Sequence, residues 1–135
     1  MKRDRKYMTP IENERRKRED LILLYSDTRR MTEVFSGIEK IEISYHNRYR
    51  SFMGEKKVEN TLSYTPQDQA IFLIQCLNPT CSTIGFNLKN DIYAMVREHK
   101  TELTKERDCE GQEAPDHPEQ SCGGSLKYTI RIFYK

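Results

Sequence analysis

Four cysteines, all in the second half of the chain, dictate more of this fold than any other residues: Cys76 and Cys81 in QCLNPTCS, Cys109 in DCEG, and Cys122 in SCGGS. Two pairs flanking a middle segment make a thiolate metal site the leading expectation. Zn²⁺ is its natural occupant, because four thiolates are soft donors that accept tetrahedral geometry and zinc has no d-electron preference against it. Such a site is closed, hence structural. Turn-forming residues accompany the ligands. Asn78-Pro79 lies between the first two cysteines, Gly111 follows Cys109 by two, and Gly123-Gly124 follows Cys122. Glycine just past a ligand lets the backbone curl and aim its N–H groups at sulfur. The C-x4-C spacing is loose for a zinc pair and the gap from Cys109 to Cys122 is longer still, so EGQEAPDHPEQS must loop out for the second pair to close. Disulfides, or four unrelated buried thiols, are the competing assignments.

This arrangement resembles the broad class of four-cysteine zinc ribbons and treble-clef-like zinc modules, in which a strand ends in a cysteine pair and a helix, a second pair and a closing strand follow. The resemblance covers roughly the C-terminal half and implies a structural metal in a binding or adaptor module. The chain departs from that class in its long second loop and in lacking the compact Cys-Pro-x-Cys-Gly form.

A chain of 135 residues is expected to form one domain, with a metal helping to staple it. Residues 1–8 read as a basic arm and 9–135 as a single α+β domain, helical over 9–36 and carrying the sheet and zinc part over 37–135. The basic N-terminus is not followed by an apolar signal region, since LILLY is short and flanked by charge. A cytoplasmic, reducing compartment is therefore the expectation, which turns the cysteine assignment away from disulfides. A net charge of +2 is too small to imply nucleic acid by itself; only its distribution can do so.

Thr9-Pro10-Ile11-Glu12 has the form of a capping box with proline at the first helical position. Leu21, Leu24, Tyr25, Thr28, Met31 and Phe35 then recur at helical spacing up to Ser36, with Gly37 as the stop. Ser26-Asp27 offers a second cap, so one long helix and two shorter ones both fit. After Gly37 the period becomes two: Ile41, Ile43, Tyr45 and Tyr49 alternate with Glu42, Ser44, His46, Arg48 and Arg50. Met53-Gly54-Glu55 turns the chain into a partner strand over 58–64. AIFLIQ, residues 70–75, reads as a central strand delivering Cys76. Asn87 caps a short helix with Leu88, Ile92, Met95 and Val96 or His99 facing inward. Residues 101–108 would make an edge strand, and Leu126 to Tyr134 alternate clearly. The sum is an antiparallel sheet with the N-terminal amphipathic helix packed on one face and the zinc site at one end.

Catalysis has no signature here: there is no phosphate-cradling glycine loop, no H-E-x-x-H, and no deaminase motif. One enzymatic route needs His99 or His117 to replace a cysteine ligand; otherwise these are a helix-end and a loop histidine. Arg15-Arg16-Lys17-Arg18 point around a helix axis, and Glu12 and Glu14 stand four residues before Arg16 and Arg18, so a solvated face is expected. The strand set differs. His46, Arg48 and Arg50 project from one face with Lys56 and Lys57 across the turn, and together with the arm residues Lys2, Arg3, Arg5 and Lys6 they form a candidate nucleic-acid surface. The alternative is a protein adaptor or inhibitor presenting Leu21, Leu24, Met31 and Phe35 on the N-terminal helix. The sequence shows neither a membrane span nor a small-molecule substrate site.

Overall fold

The computed structural model describes residues 10–27, 29–51, 54–78, 81, 83, 85–109, 112–114 and 117–135. Its elements are α1 (Pro10–Asp27), α2 (Met31–Val34), β1 (Ile38–Ser51), β2 (Gly54–Tyr64), β3 (Leu73–Ile74), β4 (Phe86–Asn87), α3 (Lys89–Arg97), β5 (Glu102–Asp108), β6 (Gln112–Ala114), β7 (His117–Ser121) and β8 (Gly124–Tyr134). The fold is α+β. β2-β1-β8-β5 form a four-stranded antiparallel sheet, and β3-β4 and β6-β7 form two small pairs. Among the described residues no helix is long and apolar enough to cross a membrane.

The two-residue period sorts the sheet into two faces. Ile41 and Ile43 from β1 and Leu126, Tyr128, Ile130 and Ile132 from β8 are buried on the inner face. Each such side chain contributes about 1.5–3 kcal/mol on leaving water. Met31 and Phe35, Phe72 and Ile74, and Ile92 and Met95 of α3 join the same core. β5 lies at the sheet edge, as its sparse apolar content predicts.

Residues 70–75 depart from expectation. They are not a central strand: only Leu73 and Ile74 pair, with Asn87 and Phe86, outside the main sheet. Ile71, Phe72 and Ile74 are buried because the segment joins the core, with Phe72 against Tyr64 and Phe35. An apolar run has the same composition whether it lies inside a sheet or covers one.

The helical stripe also divides. Two helices form, but Ser26-Asp27 does not cap the second: α1 runs through Asp27, and α2 starts at Met31 after Arg30, which makes no side-chain cap bond. The break falls there because residues 29–32 commit their backbone elsewhere: Met31 N–H donates to Asp68 O at 2.8 Å, Thr32 N–H to Pro66 O at 3.1 Å, and Arg29 O accepts from Ala70 N–H at 2.9 Å. Met31 and Phe35, expected on a partner surface, are instead core residues at 2% and 6% exposure. Leu21 and Leu24 are half-buried on α1. The Thr9 cap and the arm residues Lys2, Arg3, Arg5 and Lys6 lie outside the described residues.

α3 is fastened by an ionic network as well as by its apolar side. Asp91, in its first turn, is buried and accepts from Lys105 Nζ at 2.9 Å, from Arg107 Nη2 at 2.8 Å, and from the Tyr128 hydroxyl. Burial pushes the Asp91 carboxyl up, but the Tyr128 hydroxyl and the two cations outweigh it and hold it below the ordinary carboxylate range.

Candidate metal centre

Sheet pairing and loop contacts bring the four cysteines together. β5 and β8 are paired neighbours with Asp108 opposite Ser125, so Cys109, one residue past β5, and Cys122, two before β8, emerge at the same end. Cys109 N–H donates to Gly124 O at 2.8 Å and extends the pairing into the site. The insertion between them folds back on itself as β6 and β7, with Gln112 opposite Ser121 and Ala114 opposite His117, which returns the chain to its starting point. Cys76 leaves β3, and the loop to Cys81 is closed by Cys81 N–H donating to Asn78 O at 3.2 Å.

The four sulfurs lie within 4.8 Å of one another. Cys76 Sγ is 3.3 Å from Cys122 Sγ, and Cys81 Sγ is 3.5 Å from Cys109 Sγ. A tetrahedron with Zn–S bonds of about 2.3 Å has sulfur–sulfur edges of about 3.8 Å, inside that range. Four cysteines with no oxygen donor among them suit a soft or borderline ion, and the cluster is able to chelate Zn²⁺ in a structural site. All four sulfurs are unbridged thiols.

Donors around the sulfurs fit the same role. Asn78 Nδ2 donates to Cys122 Sγ at 3.5 Å and to Cys122 O at 3.3 Å. Thr83 N–H donates to Cys81 Sγ at 3.5 Å, and the Thr83 hydroxyl lies 3.3 Å from Cys81 Sγ and 3.5 Å from Cys109 Sγ. Lys17 Nζ of α1 donates to Cys81 O at 2.8 Å and so ties the helix to the backbone of a ligand residue. Thiol-to-thiol hydrogen bonds split the protonation of the set. Cys81, bonded first by Cys109, is pushed down; Cys109, bonded first by Cys122, is lowered to about 6. Cys76 and Cys122, each first through its bond with Cys109, are pushed up. A divalent ion displaces the protons that the four thiols share between them.

The glycine pair is required by space. Gly123 has φ +79, and a Cβ there would meet Arg50 O at 2.5 Å; a Cβ on Gly124 would meet Cys76 Sγ at 2.8 Å. Asn47 has a supporting position that the sequence did not reveal. Buried on the inner face of β1, it donates to Gln75 O at 2.8 Å and so holds the residue before Cys76. A polar residue at an inward strand position is the signal that could have found it. The Asn78 and Thr83 donors carried no such signal.

Among the described residues the cluster is made of the four cysteines, and His99 supplies no ligand atom to it. The His99 ring stacks on Tyr134 at a centroid distance of 4.0 Å, at the end of α3. The side chain of His117 lies outside the described residues. The basic strand set is spread over both faces of the sheet. His46, Arg48, Arg50 and Lys57 share the outer face, whereas Lys56 stands opposite Tyr49 on the inner pleat. Carboxylates interleave on the outer face: His46 Nδ1 lies 3.0 Å from Glu59 Oε1, Arg48 Nη2 lies 3.9 Å from Glu106 Oε1, and Glu55 is opposite Arg50.

No protein-family model, curated protein or solved structure matches this chain.

Proposed function

We propose that the chain is a small zinc-stabilised interaction module that presents the outer side of α1 to a protein partner. Its four-cysteine centre is structural and has no catalytic role. Four sulfurs fill a tetrahedral zinc and leave no position for substrate or water. One observation carries the interaction role: Ile11, Ile22, Leu23 and Tyr25 of α1 are 80%, 59%, 61% and 53% exposed. Four large apolar side chains held in water on one helix are what an interface covers. The helix is held in place by Lys17, which reaches the cysteine loop, and near its end by Tyr25 O, which accepts from Gln69 Nε2 at 3.0 Å. The partner-facing residues are thus Ile11, Ile22, Leu23 and Tyr25 in place of Met31 and Phe35.

A photo-crosslinking residue at Ser26, exposed on α1, is expected to capture protein in cells that express the chain, and the same probe at Thr61 on the outer sheet face to capture none. Protein adducts at Thr61 alone would overturn this function.

Nucleic-acid contact is the second proposal, favoured by the clustering of His46, Arg48, Arg50, Lys57 and Lys127 on the outer face. It is the weaker one, because a polyanion there also meets Glu55, Glu59, Glu106 and Asp108. Retention of mixed-sequence oligonucleotide at low salt, with a salt slope reduced by about two in Arg48→Ala/Arg50→Ala, would place it first. Absence of retention removes it.

A further inference from the structure

We infer that the cysteine cluster is a redox switch: a hydroperoxide converts it to two disulfides, joining Cys76 to Cys122 and Cys81 to Cys109, and the ion leaves. This rests on the four-sulfur metal centre and is independent of what α1 binds. Cys76 Sγ and Cys122 Sγ are 3.3 Å apart, and Cys81 Sγ and Cys109 Sγ 3.5 Å. Both separations are shorter than the about 3.8 Å edge of a zinc–thiolate tetrahedron, and each pair must close by only about 1.5 Å or less to reach the about 2.05 Å of a disulfide.

The pairing suggested by sequence spacing, Cys76 with Cys81 and Cys109 with Cys122, is not the one the backbone favours. Cys109 N–H donates to Gly124 O and continues the pairing of Asp108 with Ser125, so Cys109 stands opposite Gly124 and two residues out of register with Cys122. Diagonal neighbours of that kind have Cα atoms about 7–8 Å apart. A disulfide does not span more than about 7 Å. Exposure points the same way. Cys76 is half-buried, and Cys109 is 9% exposed against 0% for Cys81 and 1% for Cys122. A surface recess of about 470 Å³, bordered by Arg48, Arg50, Gly123 and Gly124, reaches Cys109. Each pair thus has one sulfur within reach of a small oxidant and one enclosed beside it to complete the bond.

The Cys76 thiolate attacks an oxygen of the hydroperoxide: an S–O bond forms, the O–O bond breaks, and the departing oxygen takes up a proton. The Cys122 thiolate then attacks the Cys76 sulfenic acid. The S–S bond forms, the S–O bond breaks, and hydroxide takes a second proton and leaves as water. The sulfur pair loses two electrons and the peroxide gains them. Cys109 and Cys81 repeat the sequence. With hydrogen peroxide, four thiolates, two peroxides and four protons give two disulfides and four waters, and the sulfurs no longer carry the charge that held the ion. The new bonds tie the loop after β3 to the start of β8 and to the end of β5, the segments the ion joined. Oxidation therefore keeps the site closed, whereas chelation opens it.

Hydrogen peroxide added to the full metal-loaded chain tests this, with released zinc read by a chromogenic indicator and disulfides mapped by peptide mass spectrometry. About one zinc per chain should be released for about two peroxides consumed, with Cys76 joined to Cys122 and Cys81 to Cys109 within single chains. The oxidised, metal-free chain should melt above the chelated, reduced chain, because the crosslinks restrict its unfolded state. Dithiothreitol and zinc should restore the starting form. Zinc retained under peroxide, sulfinic or sulfonic acids in place of disulfides, any other pairing, or an oxidised chain that melts with the chelated one each overturns the switch and leaves the metal centre standing. A chain that binds no zinc removes both.

Discussion

The chain fastens its two longer helices in opposite ways. α3 is held by the sheet: Ile92 and Met95 are fully buried, Asp91 is clasped by Lys105, Arg107 and Tyr128, and Tyr134 donates to Lys100 O at 2.7 Å. α1, twice its length, has no fully buried side chain among those described. Its ties are half-buried leucines, the Gln69 bond, and Lys17 to the backbone of a cysteine ligand. A helix secured by core packing is stable wherever the core is. One secured at a metal loop is ordered only while that loop is, which is how a small protein can hold an exposed apolar helix in place without burying it.

Removing the metal should have the largest effect. Structural zinc sites contribute about 10–16 kcal/mol of apparent binding free energy, comparable with the about 5–15 kcal/mol stability of a whole domain. Chelation, or Cys81→Ser, is expected to lower the thermal midpoint steeply. Hydrogen exchange should show α1 amides losing protection before those of α3, and the reverse order would break the comparison. Core truncation comes next. Ile92→Ala should cost about 2–5 kcal/mol in denaturant unfolding, whereas Ile22→Ala, on the exposed side of α1, should stay within about 0.5 kcal/mol.

Asp91→Asn should cost about 2 kcal/mol by stranding Lys105 and Arg107. Because the folded Asp91 pKa is depressed, its stabilisation is fully present above the unfolded carboxylate value and is lost as pH falls through the lower folded value. An acid titration of stability in wild type and variant should therefore converge at low pH, and parallel curves would remove the assignment. The smallest effect belongs to Lys17→Ala, about 1 kcal/mol, read as faster exchange in α1 with α3 unchanged.

Much of this was legible in the residues. Alternation along β1 and β8 identified the sheet and its buried face, and the four cysteines, grouped as two pairs in spite of loose spacing, pointed to the metal cluster and required 110–121 to loop out. What escaped was decided by long-range hydrogen bonds. The three- and four-residue spacing from Leu21 to Phe35 runs unbroken in sequence, yet Met31 and Thr32 give their N–H groups to Asp68 and Pro66, and the helix stops. That break sends Met31 and Phe35 into the core and leaves Ile22, Leu23 and Tyr25 outside. The Ile71–Ile74 segment is apolar enough for a central strand, but the places beside β1 and β8 are already taken by β2 and β5. Asn78 and Thr83 sit in loops whose composition carries no periodic signal; only the folded site shows them aimed at sulfur.

The claim on which the rest depends is that these four sulfurs hold one structural ion. X-ray absorption at the zinc edge, with metal analysis, on protein purified without added metal tests it most directly. One zinc per chain with four sulfur neighbours at about 2.3 Å is predicted. A chain without metal whose unfolding curve is unchanged by chelator, or a zinc with fewer than four sulfurs and a light-atom neighbour, would contradict it.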